Sequence, residues 1–383
     1  MSGLKDLPNV WQSIKEMDLR PIRAEALQEV SLALISRPGK AKEILINQMR
    51  HDPQRSNVET FSPVLAIDYE GDDEVIKTAL AADLLILLVD ETITDISLEE
   101  GLTRRWVNSG RKILILLHPP LQEGAQSPVV MQNNWLGWGK NVVLRGSLMD
   151  KQFLLRQFAP AVIEALPSKQ LALGRMFPLF RSEICHQLIN ESCFTNAAYA
   201  FSTGLAEIVP TLDIPLNVAD MMVLSKNQAF LVYRLGLTLG LSTRWQDYVT
   251  EFGGILGSGF FWRQVARQLV GLIPAWGIVP KVAVSYAGTY VIGNVVLQWY
   301  LTGKKLTRQQ INALYIEAFQ RGKELASKLA LRVPKPRLPK RKPKEYPLPA
   351  PAEKVCHQCQ RLNAADALFC QYCGNRFDDQ DNG

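Results

Sequence analysis

Pro63-Val-Leu-Ala-Ile-Asp-Tyr-Glu-Gly71, Ala82-Asp-Leu-Leu-Ile-Leu-Leu-Val-Asp90 and Gly110-Arg-Lys-Ile-Leu-Ile-Leu-Leu-His-Pro-Pro120 decide the fold of the N-terminal half. Each carries a short apolar run bounded by Asp, Gly or Pro, and helical patterning fits the segments between them. Strands alternating with amphipathic helices imply a parallel sheet with helices on both faces. The pattern predicts strands at Val30 to Ile35, Val64 to Asp68, Leu84 to Asp90, Ile113 to Leu117 and Val142 to Arg145. Residues 1–26 read as an N-terminal helical arm and 27–167 as the α/β domain.

With 383 residues the chain is long enough for two or three domains, since single cores stop growing at about 250–300 residues. A content of 47% hydrophobic and 21% charged residues places it among globular proteins. The formal charge of +6 is local. Residues 332–344 hold seven of the 43 basic residues (Arg332, Lys335, Arg337, Lys340, Arg341, Lys342, Lys344) and no acid, leaving 36 against 37 acids elsewhere. Interleaved prolines from Pro334 to Pro351 keep this stretch extended and unable to pack a core, so 331–353 reads as a linker. It is a solvated spacer or an attractor for an anionic membrane surface or nucleic acid.

The strongest chemical signal lies beyond it: Cys356-His-Gln-Cys359, ten residues, then Cys370-Gln-Tyr-Cys373 before Gly374. Two Cys-x-x-Cys pairs form the ligand set of a closed structural zinc site, and so small a ribbon needs the metal's binding energy to fold. Residues 354–377 therefore read as a zinc ribbon, a module for recruiting a protein partner or nucleic acid. Cys185 and Cys193 make no disulfide framework, so a reducing compartment fits. Nothing at the N-terminus has the pattern of a secretion signal, and the expected location is the cytoplasm, associated with the inner membrane.

The α/β half resembles Era-like small GTPases, in which Asp-x-x-Gly follows the third strand as Asp68 and Gly71 do here. The resemblance implies a phosphate loop at Ser36-Arg-Pro-Gly-Lys-Ala-Lys42-Glu43. A functional loop needs glycines where backbone amides wrap phosphate, and a hydroxyl after the lysine to reach magnesium. Lys42 survives, but Ser36 and Ala41 replace the glycines and Glu43 stands where the hydroxyl belongs. Only 26 positions separate Lys42 from Asp68, leaving little room for a switch loop and its strand, and His118-Pro-Pro-Leu121 replaces the guanine-reading motif. The expectation is a pseudo-GTPase in which Lys42, Asp68 and Gly71 mark a vestigial nucleotide site. GTP is not an expected cofactor, and the alternative is a divergent GTP-binding protein with residual binding or hydrolysis.

Residues 168–330 lose strand patterning and read as an apolar helical domain. Val282 to Gly303 is 22 residues without a charge, long enough to cross a bilayer, although Ser285, Thr289, Asn294 and Gln298 fit the core of a soluble bundle equally. Pro274, Gly277 and Pro280 would break the preceding apolar run, and Gly253 with Gly257 would allow close helix contact. Asp213 to Asp220, Leu224-Ser-Lys-Asn-Gln228, Leu269 to Gly277 and Ala287 to Gly293 make residues 195–305 similar to an uncharacterised helical family. That family is found C-terminal to bacterial Era-like GTPase domains and in an inner-membrane protein linked to phage-shock stress. It implies a setting and no reaction. Asp220, Asn227 and Gln228 are expected to cap helices and bond within the bundle. Adjacent Cys185 and His186 point in different directions on a helix, and Trp135-Leu-Gly-Trp-Gly139 reads as a loop covering the sheet edge. The fold expected is multidomain: a P-loop GTPase-like parallel sheet, an all-α bundle and a small zinc ribbon, together a non-catalytic scaffold.

Overall fold

The computed structural model describes residues 17–70, 77–108, 110, 112–121, 142–206, 216–248, 278–332, 353–364 and 367–377. Gly71, Trp135 to Gly139, Gly253 to Gly277 and nearly all of the 331–353 linker lie outside them, as does the side chain of Asp220. The chain divides into two compact units, Met1–Arg332 and Val333–Gly383.

In the first unit, helix α1 (Arg20–Ala26) precedes strand β1 (Leu32–Ser36) and helix α2 (Ala41–Arg50). A hairpin of β2 (His51–Asp52) and β3 (Arg55–Glu59) follows, then β4 (Leu65–Asp68), β5 (Leu84–Asp90), α3 (Ser97–Asn108), β6 (Ile113–His118) and β7 (Val142–Arg145). Five strands make one sheet in the order β4-β1-β5-β6-β7, parallel throughout. Leaving the hairpin aside, this is the 2-1-3-4-5 order of a doubly wound sheet. The expected strands are all present, shifted by no more than two residues at either end.

Alternate residues of each strand serve opposite faces because a strand's side-chain period is two. Leu32, Leu34, Leu84, Ile86, Leu88, Leu114 and Leu116 enter one core, while Ala33, Ile35, Leu85, Leu87, Val89, Ile113, Ile115 and Leu117 enter another beneath Leu102 and Trp106 of α3. The first core does not end with the sheet. Leu45 and Met49 of α2 belong to the same cluster as Phe158, Phe177, Phe180, Ile184 and Leu188. The expected boundary at 167/168 runs through this shared core. Truncating a leucine such as Leu45 to Ala should cost about 2–5 kcal/mol.

After β7 the chain continues through α4 (Lys151–Phe153), a π-helical turn Leu154–Phe158 and α5 (Ala159–Ala165). Asp150 caps the start, accepting from the Gln152 amide at 2.8 Å, which satisfies one orphan N–H of the first turn. Helix α6 (Gln170–Met176) and a 3₁₀ turn Pro178–Phe180 lead to the long helices α7 (Arg181–Ala206), α8 (Leu216–Thr238), α9 (Ile278–Thr302) and α10 (Arg308–Arg332). Helix α9 packs most extensively along α10 and α7. Its glycine and its partner's permit this closeness: a Cβ at Gly293 would fall 2.8 Å from Ile189, and one at Gly322 would fall 2.8 Å from the Ala283 backbone.

The charge-free run therefore forms the middle of a bundle, and no helix among the described residues is long and apolar enough to cross a membrane. Its polar residues are the reason it suits that place. Thr289 and Asn196 are fully buried, and the Asn196 amide donates to Thr289 Oγ1 at 2.8 Å. Asn227 donates to Asn196 Oδ1 at 2.7 Å, Gln228 to Thr289 Oγ1 at 3.4 Å, and Ser285 Oγ to the Asn196 carbonyl at 3.0 Å. One hydrogen-bonded layer thus joins α7, α8 and α9.

In the second unit, β8 (Glu353–Val355) pairs antiparallel with β9 (Leu362–Ala364), and Phe369 bridges Arg376.

Candidate functional sites

The carboxyl ends of parallel strands are where open α/β sheets take ligands, and three ion pairs fill the corresponding edge here. Lys42, at the start of α2, is buried, and its Nζ donates to Ser36 Oγ at 2.6 Å and to Asp68 Oδ1 at 2.6 Å, with the Arg37 carbonyl at 3.4 Å. The structure thus joins the sequence-predicted Lys42 and Asp68 directly. Glu43 is exposed one residue further on.

Beside them, Arg37 grips Glu99 of α3 through Nε at 2.6 Å and a terminal nitrogen at 2.9 Å, and donates to the Asp95 carbonyl at 2.6 Å. At the other end Arg145 of β7 makes the same two-pronged contact with Glu91. Glu91 and Glu99 are both buried, and a buried carboxylate without a partner is costly, so each guanidinium offsets the desolvation of its acid. His118 is buried with Nδ1 2.9 Å from the Pro119 carbonyl. These pairs span 62 and 54 positions, beyond the reach of local spacing, and sequence reasoning missed them.

The hairpin occupies the short interval between Lys42 and Asp68. Its exit is fastened: Thr60 Oγ1 and Ser62 Oγ each donate to the Met176 carbonyl at 2.7 Å, and Arg50 donates to the Ser62 carbonyl at 2.8 Å.

The second site is the cysteine cluster. The Sγ atoms of Cys356, Cys359, Cys370 and Cys373 lie within 4.8 Å of one another, with Cys356 to Cys373 at 3.7 Å and Cys359 to Cys370 at 3.5 Å. Four thiolates about 2.3 Å from one zinc in a tetrahedron stand about 3.8 Å apart, so the four cysteines fit that ion.

The two knuckles share one construction. Gln360 N–H returns to the Cys356 carbonyl at 2.7 Å and Gly374 N–H to the Cys370 carbonyl at 2.9 Å. Cys356 N–H reaches Arg361 O and Cys370 N–H reaches Asn375 O. Each turn needs a left-handed residue, Gly374 at φ 74° and, without a glycine's freedom, Gln360 at φ 53°. Buried Asn363 links them, donating to Arg361 O at 2.8 Å and accepting from the Gln371 amide at 3.0 Å. Its Nδ2 also lies 3.6 Å from Cys370 Sγ, and the Tyr372 amide lies 3.4 Å from it, donors that would steady a thiolate. Asn363 carried no signal in the sequence.

Phe369, a natural choice to pack round the knuckles, is 54% exposed, with Arg376 over its ring. Leu368 and Tyr372 are exposed as well. His357 is exposed and outside the four-sulfur cluster.

Cys185 is fully buried while His186 is exposed, so the adjacent pair forms no thiol–imidazole couple. Burial pushes the Cys185 thiol up to about 12 and raises Cys193 as well, which leaves both inert. Compared with protein-family models and with curated proteins, the chain matches no family model and no curated relative.

Proposed function

We propose that this protein is a non-catalytic adaptor, built on a degenerate Era-like GTPase body, that recruits a protein partner through its zinc ribbon. The observation that carries the reading is the bonding of Lys42. Its ammonium is engaged by Asp68 and Ser36, so a phosphate would have to displace the half-exposed Lys42–Asp68 ion pair before meeting the buried lysine, with Glu43 adding repulsion. The alternative, a GTP-binding protein working through Lys42 and Asp68, needs that rupture at every cycle. The test is GTP binding by the full-length chain with magnesium. Because α2 shares its core with the helical half, a fragment cut at 167 would strip that core. Absence of binding at millimolar GTP is expected, and turnover abolished by Lys42→Ala would overturn the reading.

Zinc on Cys356, Cys359, Cys370 and Cys373 supplies the ribbon's fold and no chemistry. Exposed Val355, Leu362, Leu368, Phe369 and Tyr372 support a protein partner with an apolar groove. The run of seven cations at 332–344 supports attachment to an anionic membrane surface from the cytoplasmic side. Nucleic acid is the less favoured partner of the same run. Cosedimentation with anionic vesicles, lost at high salt and with neutral vesicles, is the expected behaviour.

A further inference from the structure

Where the β2–β3 hairpin meets the helical bundle, a cavity of about 200 Å³ is lined by Arg181, Ser182, Asn294 and Gln298 together with Leu239, Leu297 and Leu301. Arg181 is only 6% exposed. Its Nε donates to the Gly174 carbonyl at 3.0 Å and one terminal nitrogen to the Arg175 carbonyl at 3.3 Å. Among the described residues no carboxylate forms an ion pair with it.

Asp52 also lines the cavity, but its oxygens are taken by Arg55 at 2.9 Å and by the backbone amides of Gln54 at 2.9 Å and Arg55 at 3.2 Å. Burial, with Arg55 nearby, lowers the Arg181 pKa to about 10, so the group remains cationic at neutral pH. The Asp52 carboxylate acts on Arg181 only through space, so the buried guanidinium has carbonyl hydrogen bonds and no ion pair of its own, and its planar fork matches a carboxylate.

We propose that this cavity binds a short-chain organic acid, its carboxylate on Arg181 and its hydrocarbon body against Leu239, Leu297 and Leu301. The leucines set the class. A bare inorganic anion would leave them facing a hydrated ion, whereas an aliphatic acid satisfies both walls. The volume is below the ~300–1,000 Å³ of clefts that take drug-sized ligands, which limits the body to a few carbons.

The full-length protein is titrated with sodium valerate, valeramide and sodium phosphate at constant ionic strength, read by saturation-transfer NMR on the ligand and by calorimetry. Valerate binds saturably with a dissociation constant on the order of 1 mM, and valeramide and phosphate bind at least about tenfold more weakly. Gln298→Trp, which fills the cavity from α9 without touching the carbonyl bonds of Arg181, abolishes valerate binding. Arg181→Lys weakens it by about tenfold or more, since a point charge loses the fork. Should Arg181→Lys unfold, Gln298→Trp and the valeramide comparison decide. No saturable valerate binding up to about 50 mM overturns the proposal, that ceiling being far above the constant expected of so small a ligand. So does valeramide or phosphate binding as tightly as valerate, or valerate binding unchanged in Gln298→Trp.

Discussion

The sheet's carboxyl edge and the ribbon both gather charged or ionisable groups within a few ångströms, and they do it in opposite ways. On the sheet edge three cations among the described residues each meet an acid of this chain: Lys42 meets Asp68, Arg37 meets Glu99, Arg145 meets Glu91. In the C-terminal unit four like groups converge on one centre. The first arrangement is complete in itself. The second is open to a cation from outside, since four thiolates at such separations would repel one another without one. Proximity of polar residues thus says little about ligands until the signs are counted.

The comparison breaks most sharply on the ribbon. Replacing any one of Cys356, Cys359, Cys370 or Cys373 with Ser should abolish stoichiometric zinc, measured by elemental analysis, and unfold the ribbon. Structural zinc contributes about 10–16 kcal/mol in small metal-folded domains. Thermal unfolding of the 1–332 unit should not change; a shift there would mean the two units are energetically linked.

Next in size is the asymmetry of the Arg37–Glu99 pair, whose side chains are 37% and 4% exposed. Arg37→Ala strands a buried carboxylate and should cost about 2–4 kcal/mol, below the ~3–5 of a wholly buried pair because the arginine is partly solvated. Adding Glu99→Gln should restore about half of that in urea melts. Equal losses for Arg37→Ala and the double variant would mean that the charge on Glu99 is not what suffers.

The bundle's polar layer gives a smaller effect. Thr289→Val leaves the Asn196 and Gln228 amides without their acceptor and should cost about 1–3 kcal/mol. A neutral result would place water in the hydroxyl's role. Smallest is the response to alkylation: iodoacetamide at pH 8 should leave Cys185 and Cys193 unmodified in the folded protein, since burial raises both thiols, while chelator-treated ribbon thiols react.

The strands were legible because runs such as Leu84 to Asp90 are apolar on both faces and end at a polar residue. The knuckles were legible because three-residue cysteine spacing sets its own geometry. What escaped was long-range or neutral in pattern. Val282 to Gly303 has the length and lack of charge of a bilayer span, and the bonding of Ser285 and Thr289, four residues apart on one helical stripe, shows it inside a protein bundle. The 51–59 hairpin is polar and short, without the apolar alternation that announces a strand. Arg181 carries no signal in the sequence that sets it apart from the chain's other arginines.

The fastening of Thr60 and Ser62 to a single carbonyl, that of Met176, bears on timing. In the family this body resembles, the stretch between the phosphate loop and Asp-x-x-Gly is the moving hand of a molecular clock. Here two hydroxyls tie that stretch to the end of a helix in the frame. For the adaptor proposed above, the timing of engagement would then fall to how much of the chain is made and to whether its four cysteines hold metal.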